Sequence, residues 1–211
     1  MEGSGREEAP ARPWTVPVIV GGIVLLAAIY VGFSLQRPEP PTFSPTPVEP
    51  RPAGEELVGP RTVTVDASVP HRWVFFSFDE GSVVEDPGPT DWDLAFRRFT
   101  VITNGGDGFH GVGGALDLGE VPFDSVTVLP TQGYQASEAV SDSANPVLER
   151  WYDYSLFSHL LSPQERVYGI RTADGRYAKI QILGYYCVGA VPGCLTFRYV
   201  YQGGGGPDLT E

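Results

Sequence analysis

The sequence predicts a mainly β, antiparallel extracytoplasmic domain carrying about one helix, preceded by one N-terminal transmembrane helix. Three observations predict it: a charge-free apolar run near the N-terminus, a proline-rich stretch behind it, and period-two segments between turn residues from Arg61 onward. The chain has 211 residues, one ordinary domain with appendages, and its 42% hydrophobic content suffices for a core. Gly 26 and Pro 20 together mark many turns and at least one irregular stretch. Lys+Arg 14 against Asp+Glu 26 leaves a net charge of −12, which argues against any nucleic-acid partner held by phosphate neutralisation.

Residues 1–13 read as a short cytoplasmic N-terminus and 14–36 as the span. No Asp, Glu, Lys, Arg or His occurs between Arg12 and Arg37, and Val16 to Leu35 is a run of twenty residues. At about 1.5 Å per residue this covers roughly 30 Å, the hydrocarbon thickness of a bilayer. Pro17 falls in the first turn, where a missing N–H costs little, and Trp14 falls at interface depth. The run is longer than the apolar core of a secretory signal and lacks a small-residue cleavage site, so the expectation is an uncleaved anchor. Arg6 and Arg12 before the span nearly balance Arg37 and Arg51 after it. The short N-terminus and the cysteines of the C-terminal bulk place that bulk outside the inner membrane of a bacterium, in the periplasm.

Within the span Gly21, Ala28 and Gly32 share one helical face, and Ala28 with Gly32 forms a small-xxx-small pair suited to close helix packing. The span has no histidine, so it offers a pigment or lipid contact surface but no imidazole ligand.

Residues 37–60 carry eight prolines in twenty-four positions and read as an extended linker. At about 3.1 Å per residue it reaches roughly 70 Å.

From 61 to 202 the pattern is β-rich, with expected strands over Thr62–Ala67, Arg72–Phe78, Asp93–Thr103, Gly113–Leu118, Ser125–Leu129, Arg166–Thr172, Tyr177–Tyr186 and Leu195–Tyr201. Asp174-Gly175 marks a hairpin turn. Asn145-Pro146 opens a segment with Leu148, Trp151, Ser155 and His159 at helical spacing, which predicts a helix ending before Pro163. A glycine-rich tail, 203–211, closes the chain. Ten basic and nineteen acidic residues from Arg61 onward put most of the acidity here.

Cys187 and Cys194 flank a turn-like hexapeptide between two strands, so outside the cytoplasm a disulfide closing that hairpin is expected. A metal site would need more Cys or His nearby.

The run Trp92-Asp93-Leu94-Ala95-Phe96-Arg97-Arg98, followed by Thr103-Asn104-Gly105-Gly106, resembles the signature of the HmuY-like proteins. Phe75-Phe76-Ser77-Phe78 and Tyr168-Gly169-Ile170-Arg171-Thr172, leading through Asp174-Gly175 to Tyr177-Ala178-Lys179, extend the resemblance over most of residues 61–201. It implies an antiparallel β fold and, in characterised relatives, capture of haem outside the cell.

The residues themselves read first as fold elements. Trp92, Leu94 and Phe96 alternate with Asp93, Ala95 and Arg97, which predicts one shared aromatic core face and a solvated face for Asp91 and Asp93. Haem capture needs axial ligands, and the only methionine is Met1. Of His71, His110 and His159, the pair His110 and His159 is the bis-imidazole arrangement the sequence supports, His110 from a glycine-rich loop and His159 from the expected helix.

No nucleophile–base or phosphate-loop motif is present, so the reading is non-enzymatic, with no resident cofactor apart from a possible haem and no metal site. Anchor, spacer and outer domain together read as a membrane-anchored scaffold subunit whose partners are other membrane-protein subunits and the lipid bilayer. That layout is similar to a single-span accessory subunit of a bacterial reaction-centre–light-harvesting photosystem. The alternative is a tethered haem or tetrapyrrole-binding module.

Overall fold

The computed structural model describes residues 14–35, 38–138 and 143–210. Residues 1–13, expected as a short cytoplasmic N-terminus with Arg6 and Arg12, and Arg37 lie outside the described residues. Two compact units are present: one contains the N-terminal helix and the loop Ser155–His159, the other Glu39–Tyr154 and Leu160–Glu211.

In the first unit, α1 runs Thr15–Leu35. Its apolar side chains are exposed around its circumference, from Val18 and Leu25 to Val31 and Phe33. The window Val16–Phe33 is long and apolar enough to cross a membrane, as a membrane anchor or a signal segment would be. Gly21, Ala28 and Gly32 are exposed along it, and a β-carbon built at Gly21 or Gly32 would meet no atom within 4 Å.

The second unit is antiparallel β, apart from one parallel strand pair. Its larger sheet contains β1 (Thr42–Phe43), β2 (Leu57–Asp66), β7 (Gly114–Asp117), β10 (Tyr168–Arg171), β11 (Tyr177–Cys187) and β12 (Val191–Gln202), ordered β2-β12-β11-β10-β7 with β1 parallel to β11. The smaller sheet has the order β4-β3-β5-β6, from β3 (Val74–Ser77), β4 (Ser82–Val84), β5 (Leu94–Arg97) and β6 (Thr100–Thr103). A separate hairpin joins β8 (Tyr152–Tyr154) to β9 (Leu161–Pro163).

Alternation along β3, β5 and β12 sends aromatic rings from both sheets into one core. Phe96 stacks on Phe197 at 5.5 Å, Phe76 meets Phe197 edge-on at 5.3 Å, and Phe78 meets Tyr199 at 5.3 Å. All five are almost fully buried. Edge-to-face and offset pairs of this kind each contribute about 0.5–1.5 kcal/mol beyond area burial.

The structure departs from the sequence reading at several points. The stretch 37–60, read as an extended linker, is part of the second unit over its described residues from Glu39 onward and packs against the rest of it. Phe43 of β1 seats on Gly184, where any β-carbon would stand 2.1 Å from its ring, while Arg51 and Ala53 donate backbone hydrogen bonds to Glu80 and Asp79. The segment expected as strand Asp93–Thr103 is a hairpin turning at Arg98-Phe99. Ser125–Leu129 is not a strand but follows a 3-10 turn, Phe123–Ser125, with a lone bridge from Val128 to Asp208.

The expected helix from Asn145 is absent. Asn145 is buried, and its Oδ1 accepts the N–H groups of Val147 and Leu148, while its Nδ2 donates to the Gln135 carbonyl at 3.0 Å. The bonds to Oδ1 have the pattern of an N-terminal cap, but the turn they start is a single 3-10 turn, Leu148–Arg150, after which the chain enters β8 and its hairpin with β9.

Candidate functional site

The β5–β6 hairpin begins the site. Arg98 occupies its tip at φ 56, a left-handed conformation that costs a bulky residue energy and is held only by its surroundings. Three bonds hold it: the Arg98 N–H donates to the Ala67 carbonyl at 2.9 Å, and one guanidinium nitrogen donates to the carbonyls of Ser68 at 3.2 Å and Pro192 at 3.1 Å. Pro192 lies inside the loop closed by the disulfide Cys187–Cys194, whose Cα atoms are 4.8 Å apart, as the sequence predicted. Both carbonyl partners are neutral, so the charge of Arg98 persists at the tip.

From beneath, Trp151 is fully buried and its Nε1 donates to the Phe99 carbonyl at 2.8 Å. Tyr152 packs edge-on against Trp151 at 4.9 Å and against Phe99 at 5.8 Å. Asn145, through the turn it organises, brings Glu149 and Arg150 to the opposite lip.

These elements enclose a cleft of about 660 Å³ lined by Pro70 and His71, by Arg97 through Val101, by Ser143 to Asn145, and by Glu149, Arg150 and Tyr152. Its chemistry differs from that of the chain as a whole. Three arginines face one carboxylate in a protein of net charge −12. Arg150 and Glu149 approach only to 3.9 Å, with side chains 84% and 51% exposed, so their pairing contributes little. Arg97 sets its guanidinium carbon 4.5 Å above the Trp73 ring. His71 is exposed and supplies an imidazole. Phe99 and Tyr152 supply aromatic wall.

A second cleft, of about 520 Å³, has the opposite sign. Asp79, Glu80, Glu85, Asp91, Asp93 and Asp174 line it with a single cation, Arg176. That arginine is committed: its Nε lies 2.9 Å from Asp174, and one terminal nitrogen donates to the Tyr201 hydroxyl at 3.0 Å and approaches Asp79 to 3.6 Å. Asp93, expected on a solvated face, is buried there, and burial pushes its carboxyl up to about 6 against the pull of two backbone N–H bonds. Such a wall repels a dicarboxylate and holds no imidazole.

The histidines chosen from sequence sit elsewhere. His110 is exposed on the loop after β6, beside Phe109, whose ring meets Trp92 at 6.0 Å. His159 is exposed at φ 55, its N–H donating to the Ser155 carbonyl at 2.8 Å, in a turn rather than on a helix. They belong to different units, and neither lines the clefts described. Sequence reasoning passed over His71. Its one signal was position: it precedes β3 by only a few residues, with Arg72 and Trp73 between. Trp92, expected to share a face with Leu94 and Phe96, instead clusters with Phe75, Ala95, Ile102 and Phe109 on the other face of the smaller sheet.

The protein-family model described as HmuY protein matches residues 70–199. The chain belongs to the HmuY family. The matched residues carry the smaller sheet, the cationic cleft, and β7, β10, β11 and most of β12 of the larger sheet, whose β1 and β2 precede the match.

Solved structures share the fold. The apo HmuY analogue TFO of Tannerella forsythia superposes with TM-score 0.57 at 20% identity, covering 71% of this chain and 98% of that one. A Bacteroides vulgatus protein described as HmuY-like and haem-binding gives TM-score 0.54 at 23% identity, with 67% and 91% covered. A Bacteroides fragilis protein described as a lipoprotein gives 0.55 at 23%, with 67% and 88% covered. No curated protein matches this chain. None of these comparisons supports a photosystem subunit.

The lining of the cationic cleft brings together three guanidinium groups, which suit carboxylates and other anions, an aromatic wall, and two metal-ligand types, the His71 imidazole and the Tyr152 phenol.

Proposed function

We propose that this HmuY-family chain is a non-enzymatic, membrane-tethered tetrapyrrole-binding module, with α1 as a single inner-membrane anchor and the β domain in the periplasm. One observation carries the reading: a single cleft brings the His71 imidazole together with Arg97, Arg98 and Arg150 and is walled by Phe99 and Tyr152. The arginines attract and orient the propionates, the rings exclude water from one face of the macrocycle, and His71 offers a lone pair to the metal. Haem supplies the coordination chemistry; the chain supplies selection and orientation.

The test is a haemin titration of the full-length protein in detergent micelles, followed by the Soret band. Binding with a ligated spectrum that His71→Ala abolishes supports the cleft. Loss only on joint replacement of His110 and His159 transfers the site to the pair chosen from sequence. No Soret change in the wild type rejects the module.

A second reading, scaffolding among membrane-protein subunits, is favoured by the uncovered small-residue face at Gly21, Ala28 and Gly32. Recovery at fixed stoichiometry with partner subunits after mild solubilisation would support it, and migration as a free monomer would reject it.

A further inference from the structure

We propose that the loop Ser155–His159 is a second membrane-contacting element, placing Leu156 and Phe157 in the outer interfacial layer of the bilayer beside α1. The inference rests on reading α1 as a bilayer span.

Depth is the first argument. The ring of Phe157 lies 6.4 Å from that of Tyr30, centroid to centroid, within one compact unit. Tyr30 falls inside the apolar window Val16–Phe33. It precedes the end of α1 at Leu35 by five residues, which is about 7.5 Å along the axis. A side chain touching the helix at that level shares its solvent. If α1 is embedded, so is Phe157.

Composition agrees. Leu156 is 71% exposed and Phe157 60% exposed, so the loop points its two most apolar side chains outward. No Asp, Glu, Lys or Arg occurs from Tyr154 to Pro163. An apolar hollow of about 460 Å³ lies among Phe33, Pro38 and Phe157, with Ser155 and Ser158 at its edge, and has room for part of an acyl chain. It continues the exposed apolar surface of α1, which identifies the occupant as lipid.

The backbone meets the requirement that lipid imposes. His159 N–H donates to the Ser155 carbonyl at 2.8 Å and Ser158 N–H to the Ser155 hydroxyl at 3.2 Å, so the loop pairs these donors locally.

The test uses the full chain reconstituted in phosphatidylcholine–phosphatidylglycerol nanodiscs. Because both native cysteines are joined in the disulfide, a Leu156→Cys variant carries one reactive thiol for a nitrobenzoxadiazole fluorophore. Blue-shifted emission, quenched several-fold more by a shallow lipid-borne nitroxide than by aqueous cobalt, is the expected result. Quenching mainly by cobalt overturns the proposal. An Ile23→Cys label separates the two ways of failing. If it is lipid-quenched while the Leu156 label is water-quenched, only the loop assignment falls. If both are water-quenched, the anchor reading falls and takes the loop with it.

Discussion

Asp93 Oδ1 accepts the N–H of Ala173 at 2.9 Å while its Oδ2 accepts the N–H of Phe78 at 2.8 Å, so one buried carboxylate ties the smaller sheet to the loop after β10. Burial raises this group from 3.8 to about 6, chiefly by desolvation. The folded chain therefore holds the proton more tightly than the unfolded chain. This contribution is fully present below the unfolded value and is lost as pH rises through about 6. At one pKa unit per 1.36 kcal/mol, its full size is about 3 kcal/mol. Denaturant midpoints at pH 4.5 and 7.5 check it: relative to D93N, the wild type gains stability at the lower pH. Parallel pH profiles for the two proteins would contradict the assignment.

Lys179 is the chain's one lysine, and it is buried with its Nζ donating to the carbonyls of Phe123 at 2.8 Å and Val126 at 2.7 Å. Amine-directed labelling of the native protein should leave Lys179 unmodified, while denatured protein is labelled there; peptide mass spectrometry reads the difference. Lys179→Met leaves two carbonyls without this donor and should destabilise the fold by about 2–3 kcal/mol in chemical denaturation.

Trp151→Phe keeps most of the buried ring but deletes the donor to the Phe99 carbonyl. A loss of about 1–3 kcal/mol is expected for the orphaned acceptor. Because that bond pins the hairpin tip, haemin affinity should fall by about three- to tenfold in the same variant. Unchanged affinity with lowered stability would show that the tip does not need this tether.

If the proposed cleft holds haem propionates through Arg97, Arg98 and Arg150, haemin should bind about tenfold more tightly than its dimethyl ester. The preference should shrink with added salt, most at the exposed Arg150. Equal affinity for acid and ester, measured by the same titration, would remove the arginines from the account.

Replacing both Cys187 and Cys194 by serine opens a short loop, and the chain-entropy estimate puts the loss at about 2–3 kcal/mol. Pro192, a carbonyl partner of Arg98, lies inside that loop. The double variant should therefore also weaken haemin binding, which a titration beside a thermal melt would register.

Much of this protein was legible from local pattern. A charge-free run, strand alternation and a short Cys–Cys spacing each express a constraint that acts over a few residues. That is why α1, the strands around Tyr177–Cys187 and Leu195–Tyr201, and the disulfide could be read directly. The Trp92–Arg98 and Asn104-Gly105-Gly106 residues likewise pointed to the HmuY fold that residues 70–199 carry.

Tertiary structure alone decided what depends on partners distant in sequence. The helix expected from Asn145 shrank to one 3-10 turn because the residues after it pair as the β8–β9 hairpin. Arg98 broke a long strand because carbonyls thirty and ninety-four residues away accepted its guanidinium. Asp93 left the solvated face for the same kind of reason, finding N–H groups on two separate segments. His71 reached a cationic cleft only once Phe99, Glu149, Arg150 and Tyr152 were assembled around it. Hydrophobic period is written along the chain, but the partner of a polar side chain is fixed only when folding brings that partner within about 3 Å.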